Sequence, residues 1–173
     1  MSGLIRTVRG HTPRFGADAF LAETAVVIGD VVMGDHCSVW YNAVVRGDVH
    51  GIRIGHRVNI QDGAVLHATF EKCGLTIGND VSIGHNAIVH GCTVEDKVLI
   101  GMGAIVMDQA VIGAGSVVAA GAVVTQNTIV PPGSLMAGVP ARRIGTVGKE
   151  LSEGEIERIA RNYLRYAGWF KEG

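Results

Sequence analysis

The stretch Val94–Val130, VEDKVLIGMGAIVMDQAVIGAGSVVAAGAVVTQNTIV, decides the fold. An apolar residue recurs at every sixth position: Val94, Ile100, Val106, Ile112, Val118, Val124 and Val130. Two positions before these anchors stand Cys92, Val98, Ala104, Ala110, Ser116 and Ala122, nearly all small. A half-buried strand repeats every second residue and a helix every 3.6, so neither yields this spacing. A parallel β-helix does, with one short strand and one tight corner per hexad. The large residue fills the prism, the small one lets the corner close, and Gly or Asn takes the turn conformations.

Working outward, the same register runs upstream. Phe15, Leu21, Val27, Met33, Val39 and Val45 form one run. After a three-residue slip come Ile54, Ile60 and Leu66, and after five further extra residues come Ile77, Ile83 and Val89. A one-residue deletion then leads into Val94. The small column continues through Ala25, Val31, Cys37, Ala43, Val58, Ala64, Val81 and Ala87. The repeats thus cover Phe15 to Val130, about six coils of three hexads. Pro131-Pro132-Gly133 and Gly138-Val139-Pro140 end them. Beyond, Ser152-Glu153-Gly154-Glu155 has capping-box spacing, and Ile156, Ile159, Ala160, Tyr163, Leu164 and Ala167 follow with helical period. The expected organisation is a β-helix over residues 1–140 and, over 141–173, a connector and an α-helix packed on the prism.

Composition agrees with a thin repetitive core: 25 glycines in 173 residues and only 5% aromatics. A formal charge of −1 without like-charge runs suggests neither nucleic acid nor an anionic membrane as partner. The N-terminus has no apolar signal-peptide core, and the most apolar segment, Val111–Val124, is broken by glycines, so no membrane span is expected. Three cysteines without CxxC spacing suit a reducing cytoplasm rather than a disulfide framework.

The chemistry-bearing residues fall into columns. Arg46, His67 and His90 each follow an anchor of one prism face and should stack outward on successive coils, about 4.8 Å apart. Asp62 and His85 each stand two residues beyond an anchor of the preceding face, with Gln61 beside Asp62. His67 and His90 can share one metal ion through Nε2. His85 lies around the corner, yet in a three-fold trimer a neighbour's His85 could complete the set. The same arrangement sets the neighbour's Asp62 against Arg46 as a bidentate ion pair, and Asp48 can orient the Arg46 guanidinium. Inter-subunit hydrogen bonding or acid–base use of the histidines is the alternative. His11, His36, His50 and His56 fall outside the columns and read as surface residues. Cys37 and Cys92 belong to the small inward column, and Cys73 sits in the inserted loop.

The runs RGDVHGIRIGHRVNIQDGAVLH (Arg46–His67) and IGHNAIVH (Ile83–His90) resemble the γ-class carbonic anhydrase family in its short form, within the hexapeptide-repeat superfamily. That resemblance implies a left-handed prism and a homotrimer. It implies Zn²⁺ or Fe²⁺ held by His67 and His90 of one subunit and His85 of the next, and Arg46 joined to Asp62 across the interface. Asp48 then supports Arg46, and Gln61 and Asn59 orient the metal-activated solvent that attacks CO₂ to give bicarbonate. Two glutamates of the family pattern are missing: Val49 replaces the first, and the long acidic loop is absent. Glu71, next to Phe70, and Tyr163 of the C-terminal helix are the candidates to stand in. Other functions remain open at this point: a metal-dependent thioesterase or other hydrolase, a hexapeptide acyltransferase, and a non-catalytic assembly subunit. Residues 137–142, AGVPAR, do not separate the acyltransferase from the rest.

Overall fold

Each hexad places an apolar residue, most often Val or Ile, inward on a strand too short to stand alone, so stability requires the coil above and below. The computed structural model, which describes residues 2–172 apart from the side chains of Glu153 and Glu172, shows that stack. Parallel coils form a β-helix of about seven turns, followed by a C-terminal helix. The first face carries Val65–His67, Ile88–His90, Ile105–Val106 and Val123–Val124. The second carries Leu75–Ile77, Thr93–Val94, Val111–Ile112 and Ile129–Val130. Two long strands, Val26–Met33 and Val44–Ile54, turn the corner between these faces without interruption and join them in one sheet. The third face runs from Phe20–Leu21 through Asn59–Ile60 and Ser82–Ile83 to Ser134–Gly138.

The ladders confirm the register. Val45 pairs with Leu66, Leu66 with Val89, and Ile60 with Ile83. Every anchor except the partly buried Phe15 lies in the core, together with the whole small column. Each fully buried Val or Ile adds about 1.5–3 kcal/mol relative to exposure. Corners use left-handed backbone as expected at Asn42, Asn86 and Gly63, but also at Arg57, Lys97 and Gln109. Long polar side chains therefore accept a conformation assigned from sequence to Gly and Asn alone.

The repeats extend further than the sequence indicated. Leu4–Arg6 pairs with Val26–Ile28, and Leu135–Met136 pairs with Val117–Val118, which lengthens six coils to about seven. Ala141–Thr146, expected as part of a connector, is a strand antiparallel to Ser134–Gly138 and closes that end of the third face.

The helix begins earlier than the capping box indicated. Helical residues start at Lys149 after Gly148, pass through a wider π turn at Ser152–Ile156, and continue over Glu157–Glu172. Ser152, at φ −66° and ψ −57°, lies inside the helix and cannot cap its start. The helix covers the third face with Ile156, Ala160 and Ala167 buried. Tyr163 and Phe170 meet Trp40 edge-on at ring separations of 5.3 and 5.5 Å. No helix among the described residues is long and apolar enough to cross a membrane.

Candidate metal centre

The hexad period breaks at one corner, where the first face turns into the second. The bulge Arg46–Gly51, the loop closed by the Thr69–Cys73 bridge, and the shortened turn at Gly91 stand there on successive coils. Gly47 lets the bulge form: a Cβ there would stand 2.7 Å from the Asp30 carbonyl oxygen of the adjacent coil.

This corner gathers a chain of charged and aromatic groups. The Arg46 guanidinium donates to Asp48 Oδ2 at 2.6 Å. Asp48 Oδ1 lies 3.0 Å from His67 Nε2, and His67 Nδ1 lies 3.0 Å from His90 Nε2. His67 and His90 are direct ladder partners, as the column argument required. His90 Nδ1 reaches Asp108 Oδ1 at 2.5 Å, and Asp108 Oδ2 accepts from Thr69 at 2.7 Å and from Lys72 at 3.4 Å. Burial, together with Arg46, holds the His67 imidazole below its ordinary pKa against the pull of Asp48, which favours the neutral, ligating form. Burial would raise the Asp108 carboxyl, but the hydrogen bonds from His90 and Thr69 prevail and bring it to about 2.

A second cluster sits at the other edge of the first face, where the chain arrives from the third. His85 Nδ1 contacts Asp62 Oδ2 at 2.9 Å, and His85 Nε2 lies 3.5 Å from the Tyr163 hydroxyl. Burial, then the nearby Asp62 charge, pushes the Tyr163 hydroxyl up to about 12, so it remains a donor at neutral pH. Behind it, buried Asn59 donates to Ser82 Oγ at 2.7 Å and accepts from Gln61 Nε2 at 2.9 Å. A cavity of about 400 Å³ opens here between helix and prism, lined by Gln61, His85, Leu99, Met102, Ile159 and Tyr163.

The chain thus brings Arg46, Asp48, His67 and His90 together, and separately Asn59, Gln61, Asp62, His85 and Tyr163. Within the chain, Arg46 turns to Asp48 and Asp62 to His85. Among the described residues, no group of three or more His, Cys, Asp or Glu side chains in one chain could hold a metal. The donor set still fits one in part. Two nitrogens each about 2.0–2.1 Å from a common ion can lie no further apart than twice that, and the 3.0 Å between His67 Nδ1 and His90 Nε2 falls inside the limit. His67 thus faces His90 through Nδ1 rather than through the Nε2 expected from sequence, because Asp48 holds its Nε2.

Sequence reasoning missed Asp108, Thr69, Lys72 and Ser82. Thr69 and Lys72 lie in the insertion and carry no column signal. Ser82 precedes its anchor as Asn59 does and stacks directly on it, and Asp108 follows Met107, the position stacked on His90 in the next coil, so both could have been found there. His11 and His50, read as surface residues, line with Asp48 and Glu71 a cleft of about 330 Å³.

Known proteins bear on this geometry. Residues 91–126 match the family model "Bacterial transferase hexapeptide (six repeats)", and residues 74–107 match "Hexapeptide repeat of succinyl-transferase". The chain is 58% identical, over 84% of its length and 89% of the relative's, to a protein of Methanocaldococcus jannaschii named probable carbonic anhydrase. It is 42% identical to Gamma carbonic anhydrase 1, mitochondrial, of Arabidopsis thaliana, over 94% of this chain and 60% of that longer one. The chain belongs to the γ-class carbonic anhydrase family. A solved hexapeptide transferase family protein from Anaplasma phagocytophilum superposes with a TM-score of 0.92 at 38% identity, covering 98% of this chain and 99% of that one.

Proposed function

We propose that this γ-class chain hydrates CO₂ at a metal site shared between subunits of a homotrimer. His67 and His90 would come from one subunit and His85 from the next. One observation carries the reading: the paired imidazoles and the lone imidazole stand at opposite edges of a single face. That face exposes an apolar stripe including Val65 and Ile88 at 36% and 38%, suited to burial against a second copy. A three-fold assembly repeats one contact around a closed ring, so one subunit's first edge meets the next subunit's other edge.

Zn²⁺ or Fe²⁺ bound by three neutral imidazoles would bring the pKa of water close to 7, a magnitude known from a carbonic anhydrase. The protein's own groups do the rest. Asp62 and Asp108 hold Nδ1 of His85 and His90, which leaves Nε2 of each ring as the ligating atom. Gln61 commits Nε2 to Asn59 and so keeps Oε1 as the acceptor that orients the attacking solvent. Arg46, oriented by Asp48, would pair with the neighbour's Asp62 and lock the subunits in register. The Tyr163 hydroxyl stands 3.5 Å from His85 Nε2, where it would be a donor to the solvent beside the ligating nitrogen rather than to that nitrogen itself. The cleft holding Glu71, His11 and His50 beside Asp48 offers groups that can take the released proton to buffer.

The test is metal content of anaerobically purified protein, measured beside CO₂ hydration for wild type and His85→Ala. About one Zn or Fe per chain, lost with activity in the variant, supports the shared site. Stoichiometric metal without CO₂ hydration favours a second reading, acyl ester or thioester hydrolysis. The apolar cavity beside His85 is larger than CO₂ requires and would take the acyl group. Absence of metal from the wild type contradicts both.

A further inference from the structure

Each of the three histidines is paired with its own aspartate: His67 with Asp48, His85 with Asp62, and His90 with Asp108. The three pairs differ in setting. The Asp62 side chain is 42% exposed and Asp48 25%, while Asp108 is only 9% exposed. Asp108 is also the one aspartate of the three held by a loop that the hexad repeat does not require. Thr69 and Lys72, both in that loop, donate to its Oδ2, leaving Oδ1 to His90.

We infer that Asp108, clamped by Thr69 and Lys72, is a positioning residue that fixes the tautomer and ring plane of His90 for metal binding. The inference rests on the metal-site reading above. An imidazole whose Nδ1–H is donated to a carboxylate keeps an unprotonated Nε2, and an outer partner of this kind typically governs 10–100-fold in metal affinity. A carboxylate can set a ring plane only if it is itself immobile. Burial and two further donors immobilise Asp108, and the inserted loop thereby acquires a role: it extends the support of the site by one coil. The loop is tied in turn to the N-terminal segment, where the Arg9 guanidinium lies 5.6 Å from the centre of the Phe70 ring.

Two readouts test this. Zn²⁺ affinity is measured by chelator competition on wild type, Asp108→Ala, Asp108→Asn and Thr69→Val. The His90 tautomer is read in metal-free protein from its ¹⁵N chemical shifts. The expected result is an affinity loss of about 10–100-fold in Asp108→Ala, a smaller loss in Asp108→Asn, which keeps an oxygen acceptor, and the smallest in Thr69→Val. His90 should carry its proton on Nδ1 in wild type and lose that preference in Asp108→Ala. Unchanged affinity and tautomer in Asp108→Ala would overturn the inference, as would a wild-type His90 protonated on Nε2. If Asp108→Ala does not fold, Asp108→Asn and Thr69→Val decide by the same two readouts. Failure of wild type to bind Zn²⁺ would sink the metal reading, while the tautomer measurement would still decide the role of Asp108.

Discussion

Residues 94–130 and residues 45–94 belong to the same prism and obey different rules. The first stretch keeps its hexads without a break, and its buried column of Ile100, Val106, Ile112, Val118 and Val124 has nothing to do but fill space. The second slips between Val45 and Ile54, swells between Leu66 and Ile77, and contracts between Val89 and Val94. All three departures fall at one corner, and Arg46, Asp48, His67, His90 and the loop supporting Asp108 are found there. The repeat is interrupted where this chain of side chains is assembled, whereas Gln61, Asp62 and His85 stand in unbroken hexads; departures of the first kind are where a consistent fold is expected to carry a functional site.

Substitutions in the two stretches should therefore fail in different ways. His90→Ala, in the irregular stretch, should release metal and reduce CO₂ hydration to the uncatalysed rate with little change in thermal midpoint. Metal analysis and a melting curve on one sample check both halves. Ile112→Ala, in the regular stretch, should cost about 2–5 kcal/mol of stability while metal content per folded chain holds. Denaturant unfolding measures the first, and a metal-poor folded fraction would show that the two stretches are not separable. Gln61→Ala should leave metal bound and lower CO₂ hydration by about 10–100-fold. Equal losses of metal and rate would place Gln61 in the support of the site rather than beside the solvent.

The smallest effect belongs to the remaining corner. Arg57 grips Asp80 at 2.6 and 2.8 Å, and that hydrogen-bonded pairing holds the Asp80 carboxyl below its ordinary range, against the opposing effect of burial. A carboxyl lowered on folding contributes stability above its unfolded value of about 3.9. That contribution is lost as pH falls through the lowered folded value. The pair is partly exposed, so Asp80→Asn should cost at most about 1 kcal/mol at pH 7. Wild type and variant should converge in strongly acid solution, and a constant gap down to that range would contradict the assignment.

Much of this was legible in the sequence. Period six with two inward columns yields the coils, the faces and the core, because a β-helix makes spacing and side-chain direction equivalent. The His67–His90 column followed from the same arithmetic and stands in the ladder. What escaped depends on things spacing does not carry. The helix start at Lys149 overrode a capping-box pattern because residues 149–151 were already helical. Asp108 lay within reach of the column arithmetic, one residue past the position stacked on His90, but its partners Thr69 and Lys72 sit in an insertion outside the repeat. The cleft with His11 and His50 forms only when the N-terminal segment folds back over the bulge, a contact that no periodicity encodes.

The central claim is that two chains share each metal site, and hybrid assembly tests it most directly. His67→Ala and His85→Ala chains are refolded separately and as an equal mixture, and metal and CO₂ hydration are measured on each. Neither variant alone should hold metal. In the mixture, about a quarter of the interfaces would join an intact His67–His90 pair to an intact His85, and both metal and activity should return in that proportion. A mixture as empty as its components would contradict sharing and confine each site to a single chain.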